Sequence, residues 1–488
     1  MSKKDTATDT ASRSAMAVIG FLVFVELCSG ILQGAVPSLV PLIGQQMHVS
    51  SGDLSWVNTL PLLVSGISVP LASKLGDIYG HRRLILVTMT AVAVGSILAA
   101  VTDSFALLLV GRALQGLFAA WLPLDFAIVR DRVQEGKAGA AIGLLVGAVT
   151  LGATLGLVGA GLLSEHFDSA QTLLWFPTIA ILLCLPIVWF LVPESVTRLR
   201  SRIDWFGAVL LSIGLGCGLL ALGRGEAWGW SSARVITLAV LAVVALVLFV
   251  LAELRITQPL IDIRMVTNRK LAPLYLLCFI LGIGMYGSQT ANITFMATPS
   301  QFGFGFGYDT LDLSLMVLPL SVAGFLAGGL ADRLIKAIGM RMTVGTGFLS
   351  FTISYGVLAM AHDHPWQFVV SSVLAGIGLG LVAGALPVII MGHLPADQTG
   401  IGTGLYNTLK AIAGSISGAI FAAVLNRHLL VLPMPGVKLS DEHGYTIVWM
   451  TSAVICLIGF AFCALVRPAG HQTEPSPATE PRTAAAVD

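Results

Sequence analysis

The chain has 488 residues, of which 56% are hydrophobic and only 11% charged, with a net charge of +1 and a mean hydropathy of +0.88. A water-soluble domain carries about 25% charged residues, so this chain cannot cover a water-facing surface. Its solvent is mostly lipid, and its near-neutral charge argues against nucleic acid as a partner.

The N-terminal segment 1–15 is polar and holds Lys3, Lys4 and Arg13, with no short apolar core followed by a cleavage site. It reads as a cytoplasmic tail, and no removable signal peptide is expected. From there the apolar runs predict fourteen spans: 16–43, 55–73, 84–102, 105–129, 138–163, 172–192, 204–222, 233–253, 272–297, 311–331, 343–361, 366–391, 402–426 and 444–466. Each approaches the roughly 20 apolar residues that a membrane-crossing helix needs. Of 27 Lys and Arg residues, 21 fall in the tails and alternate loops on one face, and only Arg224, Arg234, Arg427 and Lys438 fall on the other. The excess of positive charge marks the cytoplasmic side and puts both termini there. Arg112 and Lys410 lie inside spans. The segment 468–488, rich in Pro, Ala, Thr and Glu, reads as a disordered tail. The external loop Thr298–Thr310 alternates Phe and Gly. It reads either as a bent loop resting on the interface or as a flexible gate.

Between the second and third spans lies Ser73-Lys-Leu-Gly-Asp-Ile-Tyr-Gly-His-Arg-Arg83. This charged, glycine-broken loop resembles the loop between helices 2 and 3 of the major facilitator superfamily, with Leu75, Asp77, Gly80, Arg82 and Arg83 in place and Ser73 where glycine is usual. A weaker echo, Gly329-Leu-Ala-Asp332-Arg333 with Gly339 and Arg341, suggests an internal repeat. Gly111-Arg112-Ala-Leu-Gln115-Gly116 is similar to the family's fourth-helix motif. The fifth span carries Gly143, Gly152, Gly156, Gly159 and Gly161, a spacing similar to the antiporter motif, with Leu157 where that motif has proline. The stretches around Asp204–Trp230 and Pro259–Arg264 resemble the fourteen-helix drug:proton antiporter branch. In the first span that branch has an aspartate where this chain has Cys28.

The resemblance implies an all-α membrane protein with two six-helix bundles, 16–195 and 269–467, and an inserted helix pair in 202–254. It implies a proton-coupled exporter of amphipathic or cationic small molecules, monomeric, in a bacterial cytoplasmic membrane. Its partners would be a small-molecule substrate, protons and the lipid bilayer. The alternative is a narrow-substrate transporter of an endogenous metabolite or lipid, in either direction.

Charged and polar residues inside spans are costly and mark function. Glu26, about ten residues or 15 Å into the first helix, shares a stripe with Gln33. A carboxylate at that depth can bind a proton or a cationic substrate, one excluding the other. Arg112, Lys410 and Asp312 are further candidates for coupling or substrate contact, although Asp312 also suits capping of its helix. Tyr286 and Gln289 fall on one helical stripe with Tyr275 and Met296. Asp77, Arg82, Arg83 and Asp125 are expected to form a charge network that closes the cytoplasmic face. Gly143, Gly152, Gly156 and Gly161 are expected to let helices approach closely.

The six cysteines sit in apolar runs without a CxxC pair, and no disulfide or metal site is expected. No phosphate-binding G-x-x-x-x-G-K-[ST] run occurs, so ATP drive and other cofactors are not expected. No set of nucleophile, base and acid converges at bilayer depth, which speaks against an enzyme.

Overall fold

In the computed structural model, residues 3–49, 56–132, 135–194, 204–256, 259–261, 268–394, 399–428 and 440–463 are described. The C-terminal tail expected to be disordered lies outside the described residues. Fourteen helices are long and apolar enough to cross a membrane. They are α1 (Lys3–Met47), α2 (Trp56–Tyr79), α3 (His81–Val101), α4 (Phe105–Arg132), α5 (Glu135–Ser164), α6 (Ala170–Leu191) and α7 (Trp205–Trp228). The series continues with α8 (Ala233–Glu253), α9 (Ala272–Ala297), α10 (Thr310–Ile338), α11 (Met340–Met360), α12 (Pro365–Gly392), α13 (Thr399–Arg427) and α14 (Glu442–Cys463). The chain is an all-α, multi-pass membrane protein. The face carrying the Lys- and Arg-rich loops is called the basic face below. The helix predicted from residue 16 begins at Lys3, so helical structure extends into the polar N-terminal segment.

In the N-terminal half, α1 packs on α5 and α6, α3 on α4 and α6, and α2 on α4. In the C-terminal half, α10 and α11 pack on α12, α11 on α14, and α9 on α13. The halves meet where α5 packs on α10 and α13 packs on α2 and α4. The pair α7–α8 docks through α7 against the α2/α13 seam. Two contacts pin it to α2. The Arg224 guanidinium lies 4.2 Å from the Trp56 ring centre at one end. At the basic face Lys74 Nζ donates to Pro259 O at 3.1 Å. Helix α8 shows Val240, Val243, Val247 and Leu251 outward, the surface a lipid-facing helix requires.

The turns α2–α3 and α10–α11 are built alike. Gly80 (φ 109°) and Gly339 (φ 82°) each stand immediately before the next helix. Only glycine enters that region without strain. The same residue type thus does the same work in both echoes of the loop motif.

Close helix contact depends on α5. Gly152 and Gly156 press on the α1 backbone at Leu27 and Ile31, and Gly143 presses on Gly328 of α10. Gly161 differs from expectation: the nearest atom to an added methyl would be Leu311 Cδ1 at 3.9 Å. That end of α5 has parted from α10, so the glycine packs nothing. Accordingly, Gly152→Ala should destabilise the protein by about 1–3 kcal/mol through overpacking, read as a lower Tm in detergent, while Gly161→Ala should leave Tm unchanged.

Candidate functional site between the two halves

Glu26 on α1 is 1% exposed and Asp125 on α4 is fully buried. Their carboxyl groups are electrostatic neighbours. Glu26 Oε1 and both Asp125 oxygens have no hydrogen-bond partner among the described residues. Two desolvated carboxylates cannot share such a space as like charges; a proton or a cation between them relieves the repulsion. Ser29 bonds the Glu26 carboxyl, and Gln33 Nε2 donates to Ser29 Oγ at 3.3 Å. The stripe predicted on α1 is present as a hydrogen-bonded row, and Ser29 is the link that sequence spacing did not single out. Behind the pair, the free thiols of Cys28 and Cys184 touch.

From the other half, Lys410 on α13 is 7% exposed, with Nζ 4.9 Å from the Tyr406 ring centre. It is an electrostatic neighbour of Glu26 across the interface. No carboxylate lies within ion-pair distance of it among the described residues. Asp125 and Lys410 lie within about 11 residues, or 16 Å, of the basic-face ends of α4 and α13, and Glu26 lies about ten residues into the apolar span Met16–Val40.

Asp125 does not join the expected network with Arg82 and Arg83. Helix α4 is interrupted by a 3₁₀ stretch, Gly116–Ala120. The tighter turn adds roughly 20° per residue to the α-helical phase, which rotates the residues beyond it relative to an unbroken helix. The arginines instead find Glu194 after α6. Arg82 N donates to Glu194 Oε1 at 3.1 Å, Arg83 approaches Oε2 at 3.7 Å, and Arg82 Nε donates to Val188 O at 3.3 Å. Asp77 bonds His81 Nε2 at 3.0 Å. Sequence reading missed Glu194 because only the basic residues of that face were weighed; an acid on the same face was the available signal.

Arg112 faces neither carboxyl. Its Nε donates to Val57 O at 2.8 Å, its Nη1 donates to Gln115 Oε1, and Gln115 Nε2 reaches Ser96 Oγ at 3.0 Å. It lies thirteen residues along α4 from Asp125, or about 20 Å. The stripe expected on α9 is split by a π-helical segment, Ile283–Gly287, whose wider turn breaks the register. Tyr275 and Met296 are buried, whereas Tyr286 and Gln289 are exposed. Tyr286 packs its ring on Gly414 of α13. Asp312 is exposed in the first turn of α10, and its backbone N–H is capped by Asp309 at 2.9 Å. It takes no part in the buried cluster.

The halves are closed together at the basic face. Arg130 Nη2 donates to Leu394 O at 2.8 Å, Gly139 faces the Asp332 carboxylate, and Gly404 sits on Ser73. At the opposite face they part around a cleft of about 450 Å³ lined by Ser38, Leu39, Gln45, Glu165 and Asp309. The loop Thr298–Thr310 is folded back there, with Tyr308 N donating to Met296 O at 3.1 Å. Its Phe304 and Phe306 rings pack on Phe295 at 5.7 and 6.0 Å.

Two helix bundles closed at one face, split at the other and holding buried charges in the seam define a secondary transporter. The family model of the Major Facilitator Superfamily matches residues 22–418. The chain belongs to that family and is a transporter of small molecules, not an enzyme. It is 26% identical over 404 residues to the tetracenomycin C resistance and export protein of Streptomyces glaucescens, covering 81% of this chain and 74% of that one. It is 25% identical over 388 residues to the multidrug export protein EmrB of Haemophilus influenzae, covering 78% and 74%. The crystal structure of the human organic anion transporter MFSD10 (TETRAN) superposes with a TM-score of 0.65, covering 93% of this chain and 99% of that one. Their 16% identity speaks to fold alone.

Glu194→Ala removes the acceptor that ties Arg82 and Arg83 to the end of α6. Arg83 is largely exposed, so its share is small, and most of the effect runs through the Arg82 backbone N–H. The basic face should open more often: a thiol-specific reagent should label Ser73→Cys faster in Glu194→Ala than in the parent, by about tenfold at most.

Proposed function

We propose that the chain is a proton-coupled exporter of amphipathic or cationic small molecules, alternating between a state open to the cytoplasm and one open outward. The observation that carries this reading is the Glu26–Asp125 carboxyl pair, buried at the seam with Glu26 Oε1 and both Asp125 oxygens lacking a donor among the described residues. Such a pair takes either a proton or a cationic group. Competition for one site is sufficient to exchange the two across a membrane. The relatives named for resistance and export support the direction. The basic face is cytoplasmic on the charge asymmetry of the loops, so the opposite-face cleft is outward. In this reading 16–195 and 269–467 are the two moving bundles, the helix pair in 202–254 rides with the seam, and the protein works as a monomer in a bacterial cytoplasmic membrane.

Protonation of the pair from outside displaces the substrate into the cleft. Loss of that proton to the cytoplasm restores the affinity for the next substrate. The charge network at the α2–α3 turn keeps the basic face shut during release.

Inverted membrane vesicles containing the protein should accumulate ethidium when energised and lose it on addition of a protonophore. Glu26→Gln and Asp125→Asn should each reduce that accumulation at least about tenfold, because neither amide can exchange a proton. Accumulation that persists in both variants would move the coupling site away from the pair. No uptake across a broad panel of dyes would favour the narrow-substrate transporter.

A further inference from the structure

The two halves present unsatisfied polar groups of opposite kind to the same region. On the N-terminal side these are acceptors: Glu26 Oε1 and both oxygens of Asp125. On the C-terminal side they are donors. The hydroxyls of Tyr406 and Tyr275 have no hydrogen-bond partner, although the residues are 0% and 3% exposed. Lys410 stands over the Tyr406 ring without a carboxylate in reach. Cys278, one turn from Tyr275 on α9, is an electrostatic neighbour of Tyr275, Lys410 and Tyr406, which places the three donors in one region. That patch is held by the close packing of Gly282 against Lys410 O.

A buried hydroxyl without a partner is costly, and so is a buried ammonium with no counter-charge beside it. Two orphaned phenols and a lysine in one patch point to a ligand group that they receive. A simple cation would satisfy the carboxyl pair but leave these donors bare and face the repulsion of Lys410. A simple anion would do the reverse. A molecule that carries an amine and a carboxylate satisfies both sides, each through the half that offers the complementary charge. It also bridges the seam, so its binding acts on the relative position of the two halves.

We propose that the seam between α1, α4, α9 and α13 is a binding site for zwitterionic amphiphiles. The ligand's ammonium lies at Glu26 and Asp125, and its carboxylate is held by Lys410 Nζ with the Tyr406 and Tyr275 hydroxyls. This rests on the reading of the carboxyl pair as the cation site and narrows the class of substrate it takes. It sets a preference within that class: a lipophilic monocation such as ethidium still occupies the carboxyl pair, but binds more weakly than a zwitterion because it offers Lys410 no negative group.

The test uses one scaffold with and without the negative charge: ciprofloxacin, a zwitterion at neutral pH, and its methyl ester, a cation. Equilibrium binding of both is measured on the full-length protein in nanodiscs. The ratio of the two Kd values is the readout, so a loss of folded protein cancels. The wild-type protein should bind the acid at least about tenfold more tightly than the ester, the usual effect of a charge-assisted hydrogen bond. In Lys410→Gln the ratio should fall towards one. Tyr406→Phe, which removes a single oxygen, should lower it in the same direction by a smaller factor. Equal affinities in the wild type would overturn the proposal. So would a ratio that Lys410→Gln leaves unchanged, or a wild-type protein that binds neither compound. The protonophore-sensitive accumulation of ethidium reports separately on proton-coupled export, so that reading can stand when this one falls.

Discussion

Helix α5 is the element on which the rest of the molecule depends. Its small residues bring its backbone against α1 on one side and α10 on the other. In a bilayer the hydrophobic effect does not press helices together, so association rests on this kind of close van der Waals fit. One helix therefore sets both the register of Glu26 and the line along which the halves meet. The fit is graded along α5. At Gly143 it is backbone on backbone, whereas at Gly161 the partner helix has moved off and the cleft opposite the basic face begins. A seam that is tight at one end and loose at the other is the shape that a rocking motion between two bodies requires.

The inserted pair α7–α8 follows the same logic from outside the bundles. Helix α7 reaches the α2/α13 seam, where Arg224 meets Trp56 of α2 at one face, and Pro259, beyond α8, meets Lys74 of α2 at the other. Helix α8 is left to the lipid. Any opening between α2 and α13 must therefore carry or slide past α7. The buried Leu260 and Ile261, next to the Lys74 contact, fix the point where the pair leaves for the second half.

Much of this was legible in the chain because the bilayer reduces structure to length, apolarity and loop charge. Fourteen runs became fourteen helices, and the loop motif became a turn with glycine at the required φ in both copies. Residue roles were less legible where helices depart from ideal geometry. The 3₁₀ stretch in α4 separated Asp125 from the arginines, and the π segment in α9 split the aromatic stripe. Both departures are stabilised by tertiary contacts rather than local sequence: the carbonyl of Gly284 in the π segment accepts a hydrogen bond from Tyr355 of α11. No projection of α9 alone contains that partner. Glu26, by contrast, was legible, since an acid inside an apolar run has few structural explanations.

The position of Lys410 explains why the carboxyl pair persists without an ion pair. A direct Lys–Glu bridge would hold the two halves together and leave nothing for a ligand to complete. At a distance, with its stem against the Tyr406 ring, the ammonium biases the field at Glu26 but does not neutralise it. Both halves thus keep an incomplete set of partners, and neither set can be completed from within its own bundle. A group that enters the seam and supplies them gains interactions that the empty protein lacks, and it gains them only in the conformation that brings α1 and α13 face to face. Binding energy of that kind acts on the equilibrium between conformations and not merely on occupancy. On the proposed reading transport needs no dedicated lever: the same unmet donors and acceptors that would recognise the substrate would also move the bundles around it.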